Sequence, residues 1–282
     1  METQNLLVAG AGQMGAGIAQ IALQVGFHVT LYDIAQPQLD AARARIEAGL
    51  DKADKRGKLV GVTLEQAKAA LNSTTDFSHQ CFDMVIEAAP EREALKSELL
   101  ARLAQVVKAG GVLATNTSSL SITRLAAASG RPEAFIGLHF MNPVPLMALV
   151  EVIPGLATDE ATRAQAIAFV TALGKTPIVC RDVPGFAVNR LLIPMLNEAC
   201  FALFEGVASA DELDAAMKLG AGMPMGPLAL ADLIGLDTCL AIMEVLQRDL
   251  GDDKYRPCPL LRQYVAAGWL GKKSGRGFFV YG

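Results

Sequence analysis

The sequence predicts a doubly wound α/β domain followed by a smaller all-helical domain, and three observations support this. Short apolar strands alternate with helix-length segments from Leu6 to about Cys180. A glycine run, Gly10-Ala11-Gly12-Gln13-Met14-Gly15, lies between the first strand and the first helix. After Asp182-Val183-Pro184-Gly185 the strand signal stops, and only helix-like segments follow. Alternation of this kind builds a parallel sheet covered on both faces.

Each element has a local reason. Leu6–Ala9 is a short apolar strand ending at Gly10, and apolar residues then recur at helical spacing from Met14 to Val25, where Gly26 closes the helix. Val29–Asp33 is a second strand that ends on an acid. Pro37 opens an alanine-rich helix to about Lys55, and Thr63-x-x-Gln66 has the spacing of a capping box. Phe82–Glu87 is a strand, and Pro90 with Glu91 opens a helix expected to reach Gly110-Gly111. Strands follow at Val112–Thr115, Ala134–His139, Leu149–Ile153 and Pro177–Cys180, with helices from Ser121 and over Asp159–Leu173. Beyond Pro184, helices are expected at Phe186–Phe204, Asp211–Leu219 (behind a second capping box, Ser209-x-x-Glu212), Pro227–Leu250 and Pro259–Ala267. The domains are therefore placed at 1–183 and 184–282.

Bulk composition narrows the function. A chain of 282 residues with 52% apolar and 19% charged residues is globular and can bury ~75% of its unfolded surface. A net charge of −4 argues against nucleic acid as the main partner. Five scattered cysteines without a C-x-x-C, and only three histidines, give no support for a metal site and suit a reducing compartment. No basic, apolar leader is visible, and the apolar run 186–204 is interrupted by Asn189, Arg190, Pro194, Asn197 and Glu198. A soluble cytoplasmic protein with no membrane span is expected.

The glycine run sits where a Rossmann-type dinucleotide site requires it. Gly10 permits the tight turn, Gly12 lets a pyrophosphate approach the backbone, and Gly15 allows close helix–strand packing. The anion would sit on the helix N-terminus beside Gln13 and Met14. Asp33, eighteen residues after Gly15, is placed to accept the ribose hydroxyls. Its charge would repel a 2′-phosphate by roughly 4 kcal/mol per charge pair at 4 Å and an effective dielectric of ~20. No arginine follows among Ile34–Pro37, so NAD is expected rather than NADP.

A second constellation carries chemistry. His139-Phe140-Met141-Asn142-Pro143-Val144-Pro145 puts a histidine at a strand end, and Glu151 lies in the middle of the next apolar run. Such a pair can serve as an oriented general base, the carboxylate fixing the imidazole tautomer. Asn116-Thr117-Ser118-Ser119 reads either as a site loop or as an ordinary Ser/Thr turn before a helix. Lys52, Lys55, Arg56 and Lys58 form the densest basic stretch of the first domain, ordinarily a solvated helix face.

With these motifs and Pro184-Gly185-Phe186-Ala187-Val188-Asn189-Arg190 in order, the chain resembles the short-chain L-3-hydroxyacyl-CoA dehydrogenases, bacterial 3-hydroxybutyryl-CoA dehydrogenases above all. The resemblance runs over essentially the whole chain. It implies oxidation of an (S)-3-hydroxyacyl-CoA of short chain with NAD, in fatty acid metabolism. By the same resemblance, His139 would take the hydroxyl proton, Glu151 would hold and polarise His139, Ser118 would hydrogen-bond the reacting oxygen and Asn189 would contact the same region. By the same matching, Glu91, Lys96, Asn116 and Ser118 would line the nicotinamide–ribose side, and Asn142 would support its own loop at the cofactor site. Lys52 and Arg56, one helical turn apart, approach the CoA 3′-phosphate. Two positions depart from the family pattern: Gly49 replaces a small hydroxyl residue, and Arg92 follows Glu91. The helical domain closes on substrate, and its apolar runs Leu191–Leu196 and Leu228–Leu236 point to a homodimer. Two alternatives stay open: an NAD-linked dehydrogenase of free β-hydroxyacids, and a non-catalytic NAD-binding protein resembling lens crystallins.

Overall fold

The structure, a computed structural model, describes residues 4–282 and divides into two compact units, 1–183 and Pro184–Gly282. In the first unit the strands are β1 (Asn5–Ala9), β2 (His28–Tyr32), β3 (Leu71–Thr74), β4 (Phe82–Glu87), β5 (Val107–Thr115), β6 (Phe135–Phe140), β7 (Leu149–Pro154) and β8 (Thr176–Val179). They form one sheet in the order β3-β2-β1-β4-β5-β6-β7-β8. The first six positions have the doubly wound order that reverses direction between β1 and β4, where a ligand crevice forms at the strand ends. Every pair is parallel except β6 with β7.

The helices of this unit are α1 (Gln13–Gln24), α2 (Gln36–Asp54), α3 (Leu64–Ala69), α4 (Glu93–Leu103), α5 (Ile122–Ser129) and α6 (Glu160–Ala172). Leu6, Val8, Val29, Leu31, Ile86 and Ile136 are fully buried beneath them, as expected for strands covered on both faces. The Thr63–Gln66 capping box forms with both reciprocal bonds. The helix expected to reach Gly110 instead ends at Leu103, and β5 begins at Val107. Gly111 lies against the Asp83 carbonyl of β4, where an added Cβ would come within 2.7 Å. The two glycines therefore belong to a strand that passes close to its neighbour.

The second unit contains α7 (Val188–Phe204), α8 (Ala210–Gly220), α9 (Pro227–Ile234), α10 (Leu236–Leu250) and α11 (Pro259–Ala266). The single helix expected over 227–250 is two helices. Gly235 takes φ +105°, which L residues avoid, and breaks the ladder there. Buried Asp214 accepts from Leu228 N and Ala229 N and so caps α9 from α8. Ile193, Leu196, Leu228 and Leu236 are buried in this unit's own core, whereas Leu191, Leu219 and Leu233 are exposed. Part of the two apolar runs is thus consumed within the unit, and Leu191 and Leu233 of those runs remain exposed. No helix among the described residues is long and apolar enough to cross a membrane.

Candidate active site

The dinucleotide fingerprint has the close packing its glycines imply. A Cβ on Gly15 would stand 1.8 Å from the Gly10 carbonyl oxygen, and one on Gly10 would stand 2.6 Å from the Ala88 carbonyl oxygen. Gly12, by contrast, faces open space. α1 begins there with no side-chain cap, so its first N–H groups remain for an anion. Asp33 Oδ2 accepts from Ala11 N at 2.9 Å, which ties the acid to the loop and aims it at the cleft. The cleft, of about 690 Å³, is lined by Gly10, Gly12, Met14, Asp33, Ala89 and Pro90. Glycine loop, helix end and acid together fit NAD.

Arg92 and Arg102 line the same cleft, and Arg45 donates to the Ala11 carbonyl at 3.3 Å. Positive charge is therefore present around the loop although none stands among Ile34–Pro37, the residues directly after Asp33. Asp33→Ala should weaken NAD use and narrow the preference over NADP, because these arginines remain when the repelling carboxylate is gone. Steady-state kinetics with both cofactors checks this, and a wild-type preference for NADPH would reject the role of Asp33.

The antiparallel pairing of β6 with β7 creates the second part of the site. It sets His139 directly opposite Glu151, so both side chains leave the same face. His139 Nδ1 and Glu151 Oε2 are 2.6 Å apart, with Glu151 fully buried and His139 only 8% exposed. A carboxylate at this distance assigns the proton to Nδ1 and the lone pair to Nε2. The loop after β6 is fastened in two places. Lys175 Nζ donates to the Val144 and Met147 carbonyls, and Gln13 Nε2 donates to Asn142 Oδ1 at 3.0 Å. Asn142 thus meets the cofactor loop through Gln13.

Several of these candidates meet in a polar network centred on Glu87, which was not among the candidate residues. Glu87, the last residue of β4, is fully buried and accepts from Ala89 N, Thr115 Oγ1 and Lys96 Nζ. Burial pushes its carboxyl above the ordinary carboxylate range, against the opposing pull of Lys96 and Thr115. Lys96 has no exposed surface, and its ammonium is engaged by Glu87 and the Asn116 carbonyl. Lys96 is thereby brought together with Glu91 and Asn116, which were expected with it on the nicotinamide–ribose side. Glu91 Oε1 accepts from Thr117 Oγ1, Ser118 N and Ser119 N, so this acid builds the turn that carries Ser118. Asn116 Oδ1 accepts from Phe140 N, beside His139. Val85-Ile86-Glu87 ends a strand on an acid as Leu31-Tyr32-Asp33 does, a signal the sequence offered.

Lys52 and Arg56 are exposed, but α2 ends at Asp54, so Arg56 lies in the following turn and not on the helix. A Cβ on Gly49 would come within 2.2 Å of Gln20 Oε1, the movable end of a side chain on α1. Asn189 is the second residue of α7, in the second unit.

A doubly wound fold with a glycine-rich strand–helix turn, and a His–Glu pair facing across β6 and β7, has the parts of an NAD-dependent oxidoreductase, the class to which the family matches assign the chain. Residues 5–183 match the profile described as 3-hydroxyacyl-CoA dehydrogenase, NAD binding domain, and residues 185–281 match that of the C-terminal domain. The chain belongs to the 3-hydroxyacyl-CoA dehydrogenase family. It is 53% identical over 279 residues to a 3-hydroxybutyryl-CoA dehydrogenase of Bradyrhizobium diazoefficiens, covering 97% of this chain and 94% of that one. A 3-hydroxybutyryl-CoA dehydrogenase of Clostridioides difficile is 44% identical, with 98% and 99% covered. The crystal structure of (S)-3-hydroxybutyryl-CoA dehydrogenase from Ralstonia eutropha is similar at a TM-score of 0.95 and 47% identity, over 100% of both chains.

Proposed function

We propose that this enzyme interconverts (S)-3-hydroxyacyl-CoA and 3-oxoacyl-CoA thioesters of short acyl chain, hydroxybutyryl first, with His139 as the general base. The observation that carries the proposal is the 2.6 Å His139–Glu151 contact at the end of a strand in the cofactor-binding sheet. NAD bound at the glycine loop supplies the acceptor for the hydrogen leaving C3. His139 Nε2 takes the proton of the 3-hydroxyl during oxidation and returns it to the 3-oxygen during reduction. Glu151 balances the imidazolium charge that forms in between, a stabilisation strengthened by its burial. Ser118 is assigned a hydrogen bond to the same oxygen, and Asn189 a further substrate contact from its place in the 184–190 motif. Lys52 and Arg56 are assigned to the CoA phosphates. Lys52 lies roughly 24 Å along α2 from its first residue, which suits only a long ligand.

Purified protein with NADH should reduce acetoacetyl-CoA, with NADH absorbance as the readout. Longer 3-oxoacyl-CoAs should react more slowly and free 3-oxoacids hardly at all. Loss of NADH with free acids alone would favour a free β-hydroxyacid dehydrogenase, and no loss with any substrate would favour a non-catalytic binder. Five scattered cysteines without a C-x-x-C are consistent with a cytoplasmic working place.

The enzyme is further proposed to be a homodimer through its helical unit. Leu191, Leu219 and Leu233, at 75%, 88% and 52% exposure, leave apolar surface there for a partner copy. Light scattering should give twice the 29.8 kDa chain mass. A monomer with full activity at assay concentration would reject this.

A further inference from the structure

We propose that Glu87 is a positioning residue of the redox site, holding the cofactor wall, the Ser118 turn and the His139 strand in one fixed arrangement. The inference rests on the dehydrogenase reading and adds a residue that takes no part in the proton transfer. Its carboxylate receives donors from three separate segments. Ala89 N, in the turn after β4, bonds Oε1 at 2.5 Å; Lys96 Nζ, from α4, bonds both oxygens at 2.8 and 2.9 Å; Thr115 Oγ1, ending β5, bonds Oε2 at 2.5 Å.

Each donor leads to part of the site. The turn that Ala89 opens carries the Ala88 carbonyl, which presses on Gly10 so closely that no Cβ would fit. Lys96 passes the contact on to the Asn116 carbonyl at 3.1 Å and stands 3.7 Å from Glu91, the acid that builds the Ser118 turn. Asn116 is held a second time by its own N–H to the Glu87 carbonyl at 2.7 Å, and its side chain holds Phe140 N next to the base. Both members of the ion pair are 0% exposed.

Stability alone does not account for such a pair. Buried ion pairs can often be replaced by apolar residues of equal volume at little or no cost in stability, whereas removing one partner is strongly destabilising. What an apolar pair cannot reproduce is the set of directed bonds to Ala89, Thr115 and Asn116.

The test separates these two effects. Glu87→Gln leaves the ammonium partly uncompensated and should lower the melting temperature. In Glu87→Leu/Lys96→Met the buried charges and their directed bonds are both gone, and the melting temperature should return to within roughly 4 °C of wild type. The kcat of the double variant should nevertheless stay at least ~10-fold below wild type with KM for acetoacetyl-CoA changed less than ~3-fold, the pattern of an interaction expressed in the transition state. NADH affinity, read by fluorescence titration, should fall by about threefold or more because the Ala88–Ala89 wall has lost its anchor. Recovery of kcat and NADH affinity together with the melting temperature would overturn the proposal, since a purely structural pair behaves that way. Thr115→Val removes one donor while keeping shape and charge. Should the double variant not fold, this substitution decides: about a threefold loss of kcat at unchanged KM supports positioning, and none overturns it. If the wild-type protein reduces no 3-oxoacyl-CoA, the substrate reading fails, and NADH affinity of the same variants then decides the role of Glu87 by itself.

Discussion

Replacing His139 by glutamine should lower kcat by at least ~10²-fold while NAD affinity changes by less than ~3-fold. Glutamine keeps the volume and a hydrogen bond to Glu151, but it cannot accept a proton where Nε2 does. Loss of the base should therefore appear in turnover, because the glycine loop and Asp33, proposed to hold the cofactor, follow β1 and β2 and not β6. Glu151→Gln should act in the same direction. It removes the negative charge 2.6 Å from Nδ1, so an imidazolium formed in the transition state loses its partner inside a buried site. Stopped-flow or steady-state reduction of acetoacetyl-CoA measures both variants. Near-normal turnover in either would assign the proton to another group.

The second large effect is expected at Gly15. An alanine methyl there would overlap the Gly10 carbonyl oxygen at 1.8 Å, and the obstacle is backbone, which cannot rotate away. α1 would have to move off β1 by about an ångström or more, and displacements of that size cost on the order of 10²-fold where alignment matters. Gly15→Ala should thus lower both the melting temperature and NADH affinity, the latter by about 100-fold. Gly12→Ala is the contrast. Its methyl enters open space in a backbone conformation that alanine accepts, so stability should hold while the room for a pyrophosphate is reduced. Wild-type NADH affinity in Gly15→Ala would show that the loop does not hold the cofactor.

The β1–α1–β2 unit was legible because its signals are local: an apolar strand, glycines at fixed spacing, an acid at the next strand end. The same holds for both capping boxes, each formed by residues three positions apart. β3 was not legible. Leu71-Asn72-Ser73-Thr74 is an edge strand with one buried residue, and three polar residues in four leave no alternation to read. The break at Gly235 was hidden as well, since apolar residues continue at helical spacing on both sides of it.

For the site, residue types and their chemistry could be read from the chain, and so could the NAD-dependent 3-hydroxyacyl-CoA dehydrogenase family to which it belongs. Their partners could not. His139 and Glu151 stand twelve positions apart, and only the reversal of β7 against β6 makes them cross-strand partners. In a parallel arrangement the connection would need a crossover, usually a helix, and the residues between them are too few to supply one. The acids at the strand ends illustrate the same division. Asp33 belonged to a recognisable motif, whereas Glu87 acquires its role from donors 2, 9 and 28 residues away that meet only when β4, α4 and β5 pack together. Sequence by itself determined the local turns, the helix starts and the reactive groups, because each depends on neighbours within a few residues. Tertiary structure alone decided which of those groups face one another and which are sealed from water, because burial and pairing depend on how the strands are ordered in the sheet.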